Sequence, residues 1–186
     1  MTAYLVRAHK HGVEPPGDYA DREQLMLEKG VVIMPFDQVP DLSDVLDDED
    51  RMKRRFAVTY HWEPKPNTTD YWMWQMWHFI HQMGIKDLVV LPFYPFNDKA
   101  AVGEVTGPYQ YRTDLTESGL HTRPVKWLCK EIPIGEFADI VRESLEKAVM
   151  DFCRIAGETP LEVRAKIEPH IREVVAKWLA EREAGS

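Results

Sequence analysis

The chain has 186 residues, of which 44% are hydrophobic and 29% charged, and its formal net charge is −8. This length suits one domain with a short appendage, and no apolar run approaches the roughly 20 residues that span a bilayer. The first residues lack the basic start and the long apolar stretch of a secretory signal. These features argue against a membrane-spanning protein and predict a cytoplasmic protein without a membrane partner.

The negative charge is concentrated in residues 37–50, which we call the acidic segment. It contains seven acids and no base, whereas the rest of the chain holds 24 acids and 23 bases. The next residues include four bases, Arg51, Lys53, Arg54 and Arg55. These bases either face nucleic-acid phosphates while the acidic segment points away, or they form the later turns of a helix whose first turn carries acids, as the helix dipole favours. Both interpretations stay open.

The first third of the chain predicts short strands and helices in alternation. Gly30 follows a helical pattern in which Leu25 and Met26 point inward, and it is a typical helix stop. Further along, Pro64 and Pro66 predict a loop. The predicted elements are a strand over residues 4–9, a helix over 19–29, a strand over 31–36, helical turns over 41–46 and 49–60, and a loop over 61–67.

A tryptophan-rich helix is predicted over residues 70–83, capped by Thr68 or Thr69 and closed by Gly84. Its inward stripe repeats at helical spacing. The stripe consists of Trp72, Met76, Phe79, Ile80 and Met83. Another face carries Trp74, His78 and His81.

The second half of the chain predicts mainly strands. They cover residues 88–92, 100–106, 122–127 and a short stretch near 152–155, with a helix over 137–149. Together with the preceding elements, this order describes an α+β domain. Its strongly curved sheet or barrel is expected to be mostly antiparallel and flanked by helices.

The C-terminal part, residues 159–183, predicts an amphipathic helix. Thr159 followed by Pro160 is a typical helix start, and Pro169 should kink or divide the helix. Its apolar stripe consists of Ile167, Ile171, Val174, Val175, Trp178 and Leu179. Such a helix either packs on the domain or forms a surface for a dimer or another partner.

Motifs for catalysis or metal binding are missing from the sequence. His78 and His81 share a helix face, but no further zinc ligand with suitable spacing accompanies them. No glycine loop precedes a phosphate-binding helix, and no serine nucleophile motif occurs. Cys129 and Cys153 are expected to be buried free thiols. We therefore predict no metal, no cofactor and no catalytic residue.

Aromatic residues are frequent near the predicted strand ends and loops. Planar side chains stack on nucleobases, with roughly 1 to 3 kcal/mol per contact. The candidates are Phe36, Trp62, Trp72, Trp74, Trp77, Phe93, Tyr94, Phe96, Tyr109, Tyr111 and Trp127. A hydrophobic core would also use such residues, above all Trp72. Groups that could select a base edge are Gln75, Asp37, Asn97 and Arg112.

Five blocks of the sequence follow one another in a characteristic order. They are residues 4–8 (YLVRA), Trp72 with Gln75, Trp77 and Phe79, residues 87–92 (DLVVLP), residues 102–112 (VGEVTGPYQYR) and residues 123–128 (RPVKWL). In this order they resemble the N-terminal domain often fused to Mrr-like restriction endonucleases. That domain belongs to the PUA-like superfamily, which also contains EVE, YTH, ASCH and SRA domains. The resemblance covers residues 1–156 and leaves residues 157–186 as a C-terminal helical extension.

The resemblance implies a PUA-like, barrel-like sheet with a pocket for a modified or flipped base. Carried onto this chain, the base-binding pocket comprises Phe36, Trp72, Gln75, Trp77, Phe93 and Tyr94. The nucleic-acid backbone would be held by Arg51, Lys53, Arg54, Arg55 and Arg112. One departure from the family is Lys86, which stands where the family usually has glycine, so the turn there is expected to differ.

These features predict non-catalytic recognition of a modified base in nucleic acid, DNA rather than RNA, in restriction or phage defence. No nuclease is attached, so a separately encoded effector nuclease, or a second copy bound through the C-terminal helix, is an expected partner. Two alternatives stay open. One is an ASCH-like amidohydrolase acting on modified nucleosides through Lys99, Glu104 and Thr106. The other is a protein-interaction module that uses the acidic segment and the C-terminal helix.

Overall fold

The computed structural model describes residues 2–8, 17–63, 65–93, 98–147, 152–154 and 161–184. The fold is α+β, with a strongly curled mixed sheet that forms a half-barrel flanked by helices. The elements are β1 (Ala3–Val6), α1 (Gly17–Lys29), β2 (Val31–Met34), α2 (Glu49–Thr59), α3 (Pro66–His81), β3 (Leu88–Pro92), β4 (Lys99–Val105), β5 (Gln110–Arg112), β6 (Leu120–Pro133), a short 3-10 helix (Ile134–Glu136), α4 (Asp139–Lys147), β7 (Phe152–Arg154) and α5 (Leu161–Ala184).

The strands of the sheet follow the order β2-β6-β4-β3-β1-β7, and β5 pairs with β6. The pairing of β1 with β3 is parallel, whereas the other pairings are antiparallel. Five of these six pairings are thus antiparallel, as expected, and the one parallel pair makes the sheet a mixed one. The curl is accompanied by irregular pairing of β4 with β6 around Val102 and Gly103. A Cβ on Gly103 would lie 2.3 Å from Val125 Cγ1, so only glycine permits this close approach.

Two hydrophobic cores lie on the two faces of the sheet because side chains alternate along each strand. On β1, Tyr4 and Val6 enter the first core, which α2 and α3 cover, whereas Ala3 and Leu5 enter the second core, which contains residues of α4 and α5. Every residue of β1, β2 and β3 is buried. Strands buried on both faces explain the continuous apolar runs in the sequence.

Helix α5 packs on the second core. Ile167, Ile171, Val174 and Val175 are buried there together with residues of β1, β3 and β4. The helix is anchored to β4 by Arg172, whose guanidinium lies 3.0 Å from the Glu104 carboxylate. Most of the predicted apolar stripe is thus used within the chain, whereas Leu179 exposes 40% of its surface.

Several helix boundaries differ from the sequence prediction. Helix α3 begins at Pro66 and its N-cap is Lys65, not Thr68 or Thr69. Proline suits the first helical position because the missing N–H has no partner there in any case. Helix α5 continues through Pro169 as one element, because buried residues on both sides of the proline hold it against the sheet. The predicted stop at Gly30 is confirmed, with φ of 62°.

Other expectations are met in part. Strand β3 has the predicted bounds, whereas β6 extends well beyond residues 122–127 because it pairs in turn with β2, β5 and β4. Cys129 is a buried free thiol, and the side chain of Cys153 lies outside the described residues. In the described part of the chain, no helix combines the length and the apolar character that crossing a membrane requires.

Candidate functional site

A continuous row of aromatic rings fills the space between the end of β2 and α3, where the sequence predicted a base pocket. Phe36 is fully buried and packs edge-on against Phe56 of α2, with 5.5 Å between ring centroids. Phe56 lies 6.1 Å from Tyr60, which in turn lies 4.9 Å from Trp72. Phe36 and Trp72 are therefore joined through two rings of α2, and Phe36 has no exposed face on which a base could stack.

The remaining residues of the predicted pocket differ in exposure and in contacts. Gln75 is buried. Trp77 is half-buried, and its ring lies 4.0 Å from that of His81. Phe93 is half-buried and packs against the first core. Tyr94, like Asn97, lies outside the described residues.

Two aromatic side chains on the outer face of α3 are exposed. Tyr71 and Trp74 expose 37% and 42% of their surfaces, and their ring planes lie within 11° of parallel. Together with Asn67 and Asp70 they line an open cleft of about 470 Å³, which we call the aromatic cleft. These four residues are spaced three, one and three positions apart, which places them on one helix face. This spacing was a sequence signal for a site, but of these four residues the sequence prediction named only Trp74, on a face with His78 and His81.

The position of Trp74 is supported from within α3. His78 lies one turn further along the helix, with its ring 3.9 Å from that of Trp74. The His78 Nδ1 is 2.8 Å from the Trp74 carbonyl oxygen, so this nitrogen carries the proton and donates to the carbonyl. The exposed indole therefore rests on an imidazole whose orientation is held by the helix backbone.

The aromatic cleft borders a cation of α2. Lys53 Nζ lies 3.1 Å from an Asp70 carboxylate oxygen and links the two helices. Nearby in sequence, Trp62 exposes 52% of its surface and its ring lies 6.0 Å from that of Tyr60, but Trp62 does not line the cleft. The site thus combines flat apolar faces with an amide, a carboxylate and an ammonium group.

The arginines of α2 that were also predicted to contact the nucleic-acid backbone lie on a different face of that helix. Arg51, Arg54 and Arg55 line a second cleft of about 340 Å³, which we call the arginine cleft. Arg55 donates to both Asp44 carboxylate oxygens at 2.7 and 3.0 Å, and Arg51 lies 3.3 Å from one of them. The hydrogen bonds from Arg55 hold the pKa of the Asp44 carboxyl below its usual range. The acidic segment therefore turns toward these arginines rather than away from them.

Arg112 also has an acidic partner. Its guanidinium donates two hydrogen bonds of 2.6 Å to the carboxylate of Asp114. These bonds lower the pKa of Asp114 to about 2. A phosphate that binds Arg112 would have to replace this carboxylate.

A buried histidine, which the sequence prediction overlooked, fixes the start of the acidic segment. His121 Nε2 lies 2.9 Å from the Val39 carbonyl oxygen, which can only accept, so this nitrogen carries the proton. The Tyr109 hydroxyl then donates to Nδ1 at 2.8 Å. Burial lowers the pKa of His121 to about 4, although the negative charge of Asp41 acts in the opposite direction. The neutral histidine joins β6 to the loop after β2.

A buried arginine holds α3 against the sheet. The guanidinium of Arg123 donates to the carbonyl oxygens of Phe79, Ile80 and Met83 at the end of α3, and to that of Gly107. These carbonyls have no partner within the helix, so the arginine satisfies them. Burial lowers the pKa of the guanidinium. Arg123 thereby sets the orientation of the helix that carries the aromatic cleft.

The residues of the amidohydrolase alternative are separated. Lys99 and Glu104 lie five positions apart on β4, which is about 17 Å along the strand. Because five is an odd number, their side chains lie on opposite faces of the sheet. Lys99 is 3.9 Å from Glu131, whereas Glu104 pairs with Arg172. The structure therefore does not place Lys99 beside Glu104. Within the described residues, no cluster of three or more histidine, cysteine or acidic side chains could hold a metal ion.

The fold and the two clefts define a class of protein: an α+β protein whose curled half-barrel sheet carries a helical layer with an exposed aromatic face. Residues 16–149 match the family described as Domain of unknown function (DUF8426). The match covers more than half of the chain, and the chain belongs to this family. A comparison with curated proteins gives no match.

Proposed function

We propose that this protein is a non-catalytic nucleic-acid-binding protein that stacks an unpaired base on the aromatic cleft. The observation that carries the proposal is the pair of exposed, nearly parallel rings of Tyr71 and Trp74 beside Asn67 and Asp70. A stacked base gains roughly 1 to 3 kcal/mol from such rings. Exposed aromatic side chains are seldom required for folding, because burial is what makes an aromatic residue stabilise the core.

The polar residues of the cleft have the chemistry to select a base. A carboxylate such as that of Asp70 accepts hydrogen bonds from exocyclic amino groups, and an amide such as that of Asn67 both donates and accepts. Lys53, which pairs with Asp70, lies at the rim where a backbone phosphate would follow the base. The cleft therefore combines stacking, edge recognition and charge neutralisation.

We further propose that the fold is PUA-like and that the preferred ligand carries a modified base, in DNA rather than RNA. The curled half-barrel with flanking helices is consistent with that superfamily. Lys86, at the position where the resemblance expects glycine, has φ of 75°, a left-handed conformation that glycine adopts without strain. A role in restriction or phage defence, with a separate effector nuclease, would follow from this ligand.

The base site of this proposal differs in position from the pocket expected from the resemblance. Phe56 and Tyr60 occupy the space between Phe36 and Trp72. The outer face of α3, in contrast, is open to solvent. We therefore assign base stacking to Tyr71 and Trp74.

The proposal is tested by fluorescence anisotropy with labelled oligonucleotides of one sequence, single-stranded and duplex, at about 50 mM salt. One set is unmodified, and the others carry 5-methylcytosine, 5-hydroxymethylcytosine or N6-methyladenine. The Trp74→Ala variant should bind about 10- to 100-fold more weakly because one stacking contact is lost. Trp62→Ala is the matched control, since it removes an exposed tryptophan outside the cleft, and it should change the affinity less than twofold.

Two results would count against this function. One is that the wild-type protein binds none of the oligonucleotides. The other is that Trp62→Ala and Trp74→Ala weaken binding equally, which would indicate a general apolar surface such as a protein-interaction module presents. Equal affinity for modified and unmodified bases would remove the modified ligand but retain nucleic-acid binding.

A further inference from the structure

The contacts of Asp44 with two arginines of the arginine cleft are those that a phosphate would make. One carboxylate oxygen accepts from Arg55 at 2.7 Å, and the other accepts from Arg55 at 3.0 Å and from Arg51 at 3.3 Å. Two guanidinium groups that converge on one anion are the usual recognition pattern for phosphate as well as for carboxylate. Arg54 also lines this cleft and, among the described residues, has no ion pair.

We propose that the arginine cleft is a phosphate-binding site and that Asp44 occupies it as an intramolecular competitor. In the proposed function, on which this choice of ligand rests, the phosphate is a backbone phosphodiester of the bound nucleic acid. Asp44 exposes 58% of its side chain, Arg51 exposes 48% and Arg55 exposes 25%. The carboxylate is therefore open to solvent on one side, and a phosphate that takes its place meets the same N–H donors of Arg55 and Arg51.

The two clefts lie on different sides of α2. Lys53 points toward α3 and the aromatic cleft, whereas Arg51, Arg54 and Arg55 point toward the acidic segment. A helix is about 10 Å across with its side chains, and stacked nucleotides advance about 3.4 Å each. A strand whose base stacks on Trp74 has to cross both α3 and α2, roughly 20 Å, and therefore reaches the arginine cleft after about six stacked nucleotides.

The competitor has a consequence for selectivity. Phosphate contacts supply sequence-independent affinity, whereas base contacts distinguish ligands. The seven acids of residues 37–50 outnumber the four bases that follow them, so they repel nucleic acid that makes only backbone contacts. For ligands that also place a base in the aromatic cleft, this repulsion removes a smaller fraction of the binding free energy, because the base contact is independent of this charge. The acidic segment thereby raises the fraction of the binding free energy that comes from the base contact.

The experiment compares Asp44→Asn with Asp139→Asn. Both variants remove one exposed carboxylate that pairs with an arginine, but Asp139 pairs with Arg142 on α4. Two probes are titrated: a labelled, unmodified single-stranded 20-mer DNA by anisotropy, and inorganic pyrophosphate by calorimetry. At about 50 mM salt, Asp44→Asn should tighten binding of both probes by about three- to tenfold, and Asp139→Asn by less than about 1.5-fold.

A double variant isolates the arginine. In Asp44→Asn/Arg55→Gln the gain in affinity should disappear for both probes, because the guanidinium that Asp44 releases is missing. The gain in the single variant should also shrink as salt is raised from about 50 to 300 mM, since screening weakens phosphate contacts.

The outcomes separate this inference from the proposed function. If Asp44→Asn and Asp139→Asn tighten binding equally, only net charge matters and the inference is overturned. If the wild type binds DNA but Asp44→Asn changes neither probe, the inference is overturned and the proposed function stands. If pyrophosphate binds more tightly to Asp44→Asn while no DNA binds any variant, the phosphate site stands and the proposed function fails. If neither probe binds any variant, both fail.

Discussion

The inward and outward faces of α3 both carry aromatic residues, in different environments. Trp72, Met76 and Phe79 face inward and are buried in the first core, whereas Tyr71 and Trp74 face outward and are exposed. The number of aromatic residues along the helix therefore does not by itself distinguish core residues from exposed ones. The inward residues stabilise the fold, and the outward residues are available to a ligand. Only the accessible area of each ring separates the two roles.

The interior beneath α2 and α3 also contains polar groups, and each has internal partners. His121 bridges a loop carbonyl and a tyrosine hydroxyl, and Arg123 satisfies the carbonyl end of α3. Such groups stabilise a fold only while their hydrogen bonds are complete. The interior is therefore sensitive to substitution and to pH, whereas the outer face of α3 should tolerate substitution.

The largest effect is expected for Phe36→Ala in the interior. The substitution leaves a cavity beside Phe56 and should lower the free energy of unfolding by about 3 to 5 kcal/mol. Urea unfolding followed by circular dichroism measures this loss. A variant of unchanged stability that bound nucleic acid more weakly would break the comparison, because Phe36 would then belong to a ligand pocket as the resemblance implies.

The next effect concerns pH and His121. Its pKa is about 4 in the folded protein and about 6.5 in an unfolded chain. Between these values the unfolded state binds more protons, so stability is complete above about pH 6.5 and is lost as the pH falls toward 4. The loss from this group is on the order of 3 kcal/mol.

Urea unfolding at several pH values between 7.5 and 4 measures this dependence. His121→Gln should have lower stability at pH 7.5 but a flatter dependence on pH, because the titrating group is gone. The same slope in the variant and in the wild type would show that His121 is not the group that titrates. The neutral imidazole inferred for the interior would then be incorrect.

The smallest effect is expected on the outer face. Trp74→Ala should change the free energy of unfolding by less than about 1 kcal/mol, because the indole is partly exposed and packs mainly on His78. Together with the loss of affinity expected for this variant, that result would sharpen the division between the two faces. A loss of stability as large as that of Phe36→Ala would instead assign Trp74 to the fold.

Much of the fold follows from local patterns. The apolar run 88–92 predicts β3 with its observed bounds, and the stripe that contains Trp72, Met76 and Phe79 is buried as its spacing predicts. The length of β6 was underestimated because its later half is held by pairing with β4, which local propensity does not contain. The start of α3 was placed too late because threonine caps were preferred to a proline at the first position.

The candidate site was harder to predict. The outward position of Trp74 and His78 follows from helical spacing, so the face of the aromatic cleft is present in the sequence. Lys53, which pairs with Asp70 of this cleft, is 17 residues away from it in the sequence. No spacing rule predicts a contact between two separate helices. The basic run after the acidic segment was recognised, but its pairing with Asp44 depends on how the loop returns to α2.

The sequence by itself determined strand β3, the inward stripe of α3 and the helix stop at Gly30, because each depends on neighbours within a few residues. Only the tertiary structure decided that Phe56 and Tyr60 fill the space between Phe36 and Trp72. The same holds for the pairing of the Asp44 carboxylate with Arg55. These contacts join elements that approach one another only when the helices pack on the two faces of the sheet. Which rings are buried and which charges pair is therefore decided by that packing.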